Sequence, residues 1–121
     1  MCCIAVIGSR NFRDYKLMKY ILDKIDICCI VSGGAIGADY FAEKYAKENG
    51  ITSIIYKPNW KKYGKFAGYI RNKDIIDNCD EVIAFWDGKS RGTLHSIKLA
   101  RKQDKKIRII DYINYNKEVF I

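Results

Sequence analysis

The sequence is short of several things, and each shortage excludes something. Pro58 is the single proline in 121 residues, so no proline-rich linker divides the chain. His95 is the single histidine, so a His-based metal cluster is excluded and no Ser–His–Asp set can be argued. It reads as a helix surface residue. No metal site and no cofactor is expected. No apolar run approaches the about 20 residues of a membrane-spanning helix, so no membrane partner is expected. The five cysteines fall as Cys2-Cys3, Cys28-Cys29 and a lone Cys79, which is neither zinc nor CxxC spacing. An odd count without a framework points to a reducing compartment. Met1 leads directly into an apolar segment, with no basic leader or small-residue cleavage pattern. The expected location is the cytoplasm.

What is present is an ordinary globular balance, 49% hydrophobic and 30% charged. A chain of this length forms one domain, taken as residues 1–121, and buries a real core without disulfides or metal. The net charge of +8 is uneven. Residues 1–50 carry seven Lys/Arg against six Asp/Glu, whereas residues 51–121 carry fifteen against eight. A basic field of this kind favours anionic partners, either nucleic acid or phosphorylated small molecules. It also serves simply as a solvated surface.

Apolar strands alternate with amphipathic helices. Strands are expected at 3–7, 28–31, 53–56, 81–86 and 107–110, and a further edge strand at 119–121. Asp14 caps a first helix whose apolar positions are Leu17, Tyr20, Ile21 and Ile25. Ala38, Phe41, Ala42, Tyr45 and Ala46 mark a second, closed by Asn49-Gly50. A third uses Phe66, Ile70 and Ile76, after an irregular stretch at 57–65. A fourth begins at Gly92-Thr93 and uses Leu94, Ile97 and Ala100. Continuous apolar strands separated by helices imply a parallel sheet covered on both faces. The expected fold is α/β: a Rossmann-like doubly wound sandwich of about five mostly parallel strands. Ligands of such sheets sit beyond the strand carboxyl ends, where strand order switches.

Four glycine-rich polar segments fall at those ends: 8–11, 32–39, 64–72 and 87–93. In the second, Ser32, Gly33, Gly34 and Gly37 let backbone N–H groups approach an anion, and a helix N-terminus follows. It lacks the closing Gly-Lys-Ser/Thr of a Walker loop and is not a clean GxGxxG. A tight strand-to-helix turn would need the same small residues. The fourth repeats the logic with Asp87, Gly88, Lys89, Ser90, Arg91, Gly92 and Thr93. In the first, Gly8 and Ser9 precede Arg10, whose guanidinium suits phosphate or carboxylate. In the third, Lys65, Arg71 and Asn72 accompany two glycines, and Ala67, Gly68 and Arg71 share a helix face. Trp60, Tyr63 and Trp86 are candidates to stack on a base, although Trp86 ends a strand and serves equally in packing. Asp39, Glu43 and Asp87 are the carboxylates a glycosidic hydrolase would need; of these, Asp39 and Asp87 are the catalytic candidates.

These four segments together resemble the SLOG superfamily. This Rossmann-like group includes the LOG phosphoribohydrolases and the DprA/Smf DNA-processing proteins. The resemblance points to its small YspA-like, YpsA-related branch and spans about residues 4 to 110. It rests on Ile-Gly-Ser-Arg at 7–10, Ser-Gly-Gly-Ala-Ile-Gly-Ala-Asp at 32–39, Gly-Lys-Phe-Ala-Gly-Tyr-Ile-Arg-Asn at 64–72, and Phe-Trp-Asp-Gly-Lys-Ser-Arg-Gly-Thr at 85–93. The resemblance implies a nucleotide-derivative site formed by the glycine loops. It does not carry over LOG catalysis. The LOG motif reads Gly-Gly-x-Gly-Thr-x-x-Glu with a catalytic Glu, and Ser96 stands in that place here.

Three functions follow as expectations. The first is a module that binds a nucleotide-derived small molecule, such as an NAD-derived or signalling nucleotide, as sensor or sequestering protein and possible homo-oligomer. The second is a nucleotide hydrolase using Asp39 or Asp87. The third is a DNA-binding protein using Lys61, Lys62, Lys105 and Lys106. It ranks below the others because no aromatic stripe or recognition helix accompanies the charge.

Overall fold

A computed structural model describes residues 3–115, so the edge strand expected at 119–121 lies outside the described residues. Among the described residues, five strands form one parallel sheet: β1 (Cys3–Gly8), β2 (Cys29–Ser32), β3 (Thr52–Ile55), β4 (Glu81–Trp86) and β5 (Lys106–Asp111). Their order is β3-β2-β1-β4-β5. Helices α1 (Tyr15–Leu22) and α2 (Ala38–Glu48) cover one face. Helices α4 (Ala67–Asp77) and α5 (Arg91–Lys102) cover the other. A short helix α3 (Trp60–Tyr63) and a 3-10 turn (Gly64–Phe66) occupy the stretch expected to be irregular. This is the expected doubly wound α/β sandwich.

Strand burial follows position in the sheet. The central strands β1, β2 and β4 are buried almost throughout. At the edges, β3 and β5 are largely exposed, which suits Ser53 and Arg108 and departs from the uniformly buried strands expected. Helix α1 stops at Leu22, short of Ile25, because Lys24 and Ile25 donate to carbonyls three residues back and tighten the last turn. Ile25 still packs against the core.

Strand order reverses between β1 and β4, so the helices that follow these two strands cover opposite faces and a crevice lies beyond the strand carboxyl ends. The loop after β1 is anchored by Phe12, which is fully buried. Its ring packs against Phe85 at 5.0 Å and edge-on to Tyr112 at 4.9 Å between centroids. Each such contact contributes about 1 kcal/mol beyond burial. Arg13 donates from Nη1 to the Arg10 carbonyl at 2.7 Å and to that of Phe12 at 2.8 Å. Arg10 therefore stands on a fixed turn.

Lys105 is not a free surface cation. Its Nζ donates to the carbonyls of Ile76 and Cys79, closing the C-terminal end of α4. Charge-assisted bonds to helix-end carbonyls are the stronger kind. Lys105→Met is expected to cost about 2 kcal/mol in urea unfolding. The same change at exposed Lys102 should cost little.

Candidate functional site

The crevice is assembled by contacts between the four glycine segments. A Cβ on Gly8 would strike the Phe85 carbonyl and come within 2.7 Å of the Ala38 Cβ, so β1, β4 and α2 meet closely there. Ser9 ties three segments together. Its N–H donates to the Phe85 carbonyl at 3.0 Å, and its own carbonyl accepts from Ala38 N at 3.2 Å. Its hydroxyl accepts from Asp87 N at 3.1 Å. Ser9 is buried and does not line the crevice.

Helix α2 begins at Gly37, and Asp39 lies in its first turn. The Asp39 carboxylate accepts from Ala35 N at 3.2 Å. Arg71 reaches from α4 to the same loop and donates from Nη1 to the Gly33 carbonyl at 2.6 Å. A Cβ on Gly33 would collide with the Arg71 guanidinium and lie 2.9 Å from Asp39 Oδ2. Glycine is required there because arginine and carboxylate share its open side.

Burial pushes the Asp39 carboxyl up, against the opposing pull of the Ala35 N–H and the Arg71 charge. Burial likewise pushes Arg71 down, and Asp39 opposes it while Arg10 adds to it. The sign of the stability effect follows. Between the ordinary value of 3.8 and the raised native value, the folded state holds more protons at Asp39 than the unfolded chain. Stability from this group therefore falls as pH rises through that window. Asp39→Asn is expected to lose this dependence, seen in denaturant titrations as a wild-type-minus-variant stability difference that falls as pH rises above 4.

Asn72 links α4 to α5. Its Oδ1 accepts from Arg71 Nε at 3.1 Å, and its Nδ2 donates to the Gly92 carbonyl at 3.3 Å. Nδ2 also lies 3.3 Å from His95 Nδ1. His95 is thus a half-buried part of the helix interface and not a surface residue; its ring packs on Tyr69 at 4.5 Å. Burial pushes its imidazole below the ordinary range.

Helix α5 begins one residue before the expected Gly92, because Ser90 is its N-cap and accepts from Thr93 N at 3.4 Å. Asp87 accepts from the N–H groups of Lys89 and Ser90, both at 2.8 Å. These bonds hold Asp87 below the ordinary carboxylate range, although its partial burial raises it. Trp86 donates from Nε1 to the Ser90 carbonyl at 3.0 Å and packs on the sheet.

The result is a cavity of about 330 Å³. It is lined by eleven of the expected residues: Gly8, Arg10, Asp39, Trp60, Lys65, Gly68, Arg71, Asn72, Ser90, Gly92 and Thr93. Ser9, Ser32, Gly33, Gly34, Gly37, Asp87, Gly88 and Lys89 do not line it. Several of them shape it from behind, as the bonds of Ser9, Gly33 and Asp87 show. Ser32 is fully buried, and its hydroxyl has no partner among the described residues. The sequence reading did not single out Ile7, Ala35, Tyr69 or Ile75, which also line the cavity. Ile75 lies four residues after Arg71, on the helix face already marked by Gly68 and Arg71, and that spacing was the available signal. Ser96, buried, lines the cavity as well.

Among the described residues, no group of three His, Cys, Asp or Glu side chains is placed to hold a metal. No helix among them is long and apolar enough to cross a membrane.

A family profile described as YspA, cpYpsA-related SLOG family matches residues 2–63. The chain belongs to this SLOG family. The match takes in the first two glycine segments; those at 64–72 and 87–93 lie beyond it. The SLOG chain is also similar to the Gene 61 protein of Mycobacterium phage D29, at 35% identity over 110 residues, covering 82% of this chain and 88% of that protein. Among solved structures it resembles DNA processing protein A (DprA) from Streptococcus pneumoniae, with a TM-score of 0.71 and 21% identity. That likeness covers 90% of this chain and 50% of the DprA chain, so the SLOG chain spans half of that neighbour's length. At this identity the likeness shows the fold.

Proposed function

We propose that the chain binds a nucleotide or nucleotide-derived phosphate compound in this cavity, as a sensor or sequestering module. One observation carries the reading. Arg10, Lys65 and Arg71 come from three separate elements and border a single cavity that also receives the first turn of α5. Three cations and a helix N-terminus around one space suit a phosphate or pyrophosphate. Asp39 suits a ribose hydroxyl, which donates to it. Trp60 and Tyr69 offer aromatic faces for a base.

Binding without turnover is favoured over hydrolysis. Asp39 is the single carboxylate among the described lining residues, and it already accepts from Ala35 N. Asp87 is committed to the turn before α5. Ser96 faces the cavity where the related hydrolases carry Glu, and a hydroxyl cannot replace that carboxylate in acid–base work. A panel of nucleotides, NAD and cyclic dinucleotides tests the reading. Thermal shift reports binding and chromatography reports breakdown. Stabilisation without product supports it; a product lost in Asp39→Asn would establish the hydrolase instead.

DNA binding is the second reading, favoured by the likeness to a DNA-processing protein. Two of its four expected contacts are already occupied, Lys105 by carbonyls and Lys106 by Glu81 at 3.7 Å. Lys61 and Lys62 on α3 are the cations to test. Affinity that falls steeply with salt and drops in Lys61→Ala/Lys62→Ala would favour DNA.

A further inference from the structure

We infer that the site is bipartite, and that its ligand is a dinucleotide whose second half lies in a groove between α4 and α5, across Tyr69 from the cavity. The inference rests on the nucleotide reading above and specifies its ligand class. The cavity of about 330 Å³ lies near the lower end of the range for small-molecule sites. It has room for one nucleotide half. A second space of about 330 Å³ adjoins it, lined by Tyr69, Arg91, Leu94, His95 and Lys98. Tyr69 lines both and is their common wall.

The groove has the chemistry of a second aromatic–phosphate subsite. Tyr69 and His95 present rings packed together at 4.5 Å, and Leu94 adds an apolar contact. The rings of this floor are tilted by 60° to each other, so a planar base would stack on one of them and meet the other at an angle. The side chains of Arg91 and Lys98 are exposed and make no hydrogen bond or ion pair among the described residues. No carboxylate is among the described residues that line the groove. Its charge therefore favours an anionic occupant. The N-terminal turn of α5 runs between the two spaces: Ser90, Gly92 and Thr93 line the cavity, and Arg91 and Leu94 line the groove. Successive phosphates bridging two nucleoside halves would pass along that turn. The half-buried Asn72–His95 contact, 3.3 Å, fixes the His95 ring as part of this floor.

The test compares a mononucleotide with the same nucleotide extended by a second half. ADP and diadenosine triphosphate form one pair, and GDP and diguanosine triphosphate the other. For one base, the dinucleotide should bind wild-type protein at least tenfold more tightly than the mononucleotide in calorimetric titration. Arg91→Ala/Lys98→Ala, and separately Leu94→Glu, should bring the dinucleotide down to the mononucleotide's affinity while mononucleotide binding stays unchanged. Equal wild-type affinity for the two members of each pair overturns the bipartite site and leaves the cavity reading standing. So does an equal loss for both ligands in the variants. If no member of either pair binds, the bipartite site falls; the cavity reading then stands or falls on the wider nucleotide panel.

Discussion

Arg71→Ala is expected to weaken binding of any stabilising nucleotide by about 100-fold. Two hydrogen bonds fix the Arg71 side chain, to the Gly33 carbonyl and to Asn72 Oδ1. That leaves Nη2 without a partner among the described residues, and Arg71 borders the cavity. The arginine is therefore held in place before the ligand arrives, and little rotamer entropy remains to be lost on binding. Truncating one partner of a buried charged contact costs about 2–5 kcal/mol, and about 1.4 kcal/mol is tenfold. A value near 3 kcal/mol gives the stated loss. Arg71→Lys keeps the charge, but one ammonium cannot span Gly33, Asn72 and a ligand together. It should recover only part of the affinity, about tenfold short of wild type. The Asp39 carboxyl should also rise further, because the arginine charge that opposes its desolvation is gone. Titration calorimetry gives the affinities, and circular dichroism shows whether the fold survives. Wild-type affinity in Arg71→Ala would move the ligand out of this cavity.

Gly37→Ala is expected to destabilise the fold by about 3 kcal/mol or more. Gly37 has φ +81° and ψ −130°, a conformation that a residue with a Cβ adopts only with strain. Such strain costs about 1–3 kcal/mol. The added Cβ would also strike the carbonyls of Ser9 and Arg10, which are backbone atoms and cannot swing aside. Moving them would break the bond from Ala38 N to the Ser9 carbonyl and displace Arg10. The total is a large part of the about 5–15 kcal/mol that holds a typical domain together. Gly92→Ala is the contrast. It sits in the first turn of α5, where, apart from its chain neighbours and its own helix backbone, no described atom lies within 4 Å of the new Cβ. That change should be neutral or slightly stabilising. Urea midpoints of the two variants separate backbone strain from a general intolerance of side chains in these loops.

The two glycines show how far the sequence could be read. Both stand in glycine-rich segments recognisable at strand ends, and local sequence treats them alike. Only the approach of the loop after β1 to the start of α2 makes Gly37 irreplaceable. Lys105 makes the same point from the other side. In sequence it belongs to a basic cluster open to solvent, yet it closes the end of a helix. Asp87 looked like a cleft carboxylate, and its carboxylate is instead held by the two N–H groups that follow it.

By itself the sequence determined the alternation of strands and helices, the parallel α/β class, the four glycine segments and the basic second half. These are local properties: hydrophobic period, caps, glycine and charge write them residue by residue. The tertiary structure decided the strand order, and with it which segments border one space. Arg71 and Gly33 lie 38 residues apart, and Ser9 and Asp87 78 apart, so no local pattern encodes their meeting. Bringing β4 beside β1 placed Arg10, Arg71 and the start of α5 around one cavity. It also joined Ser9, Gly33 and Asp87 into the bonds that hold the walls of that cavity.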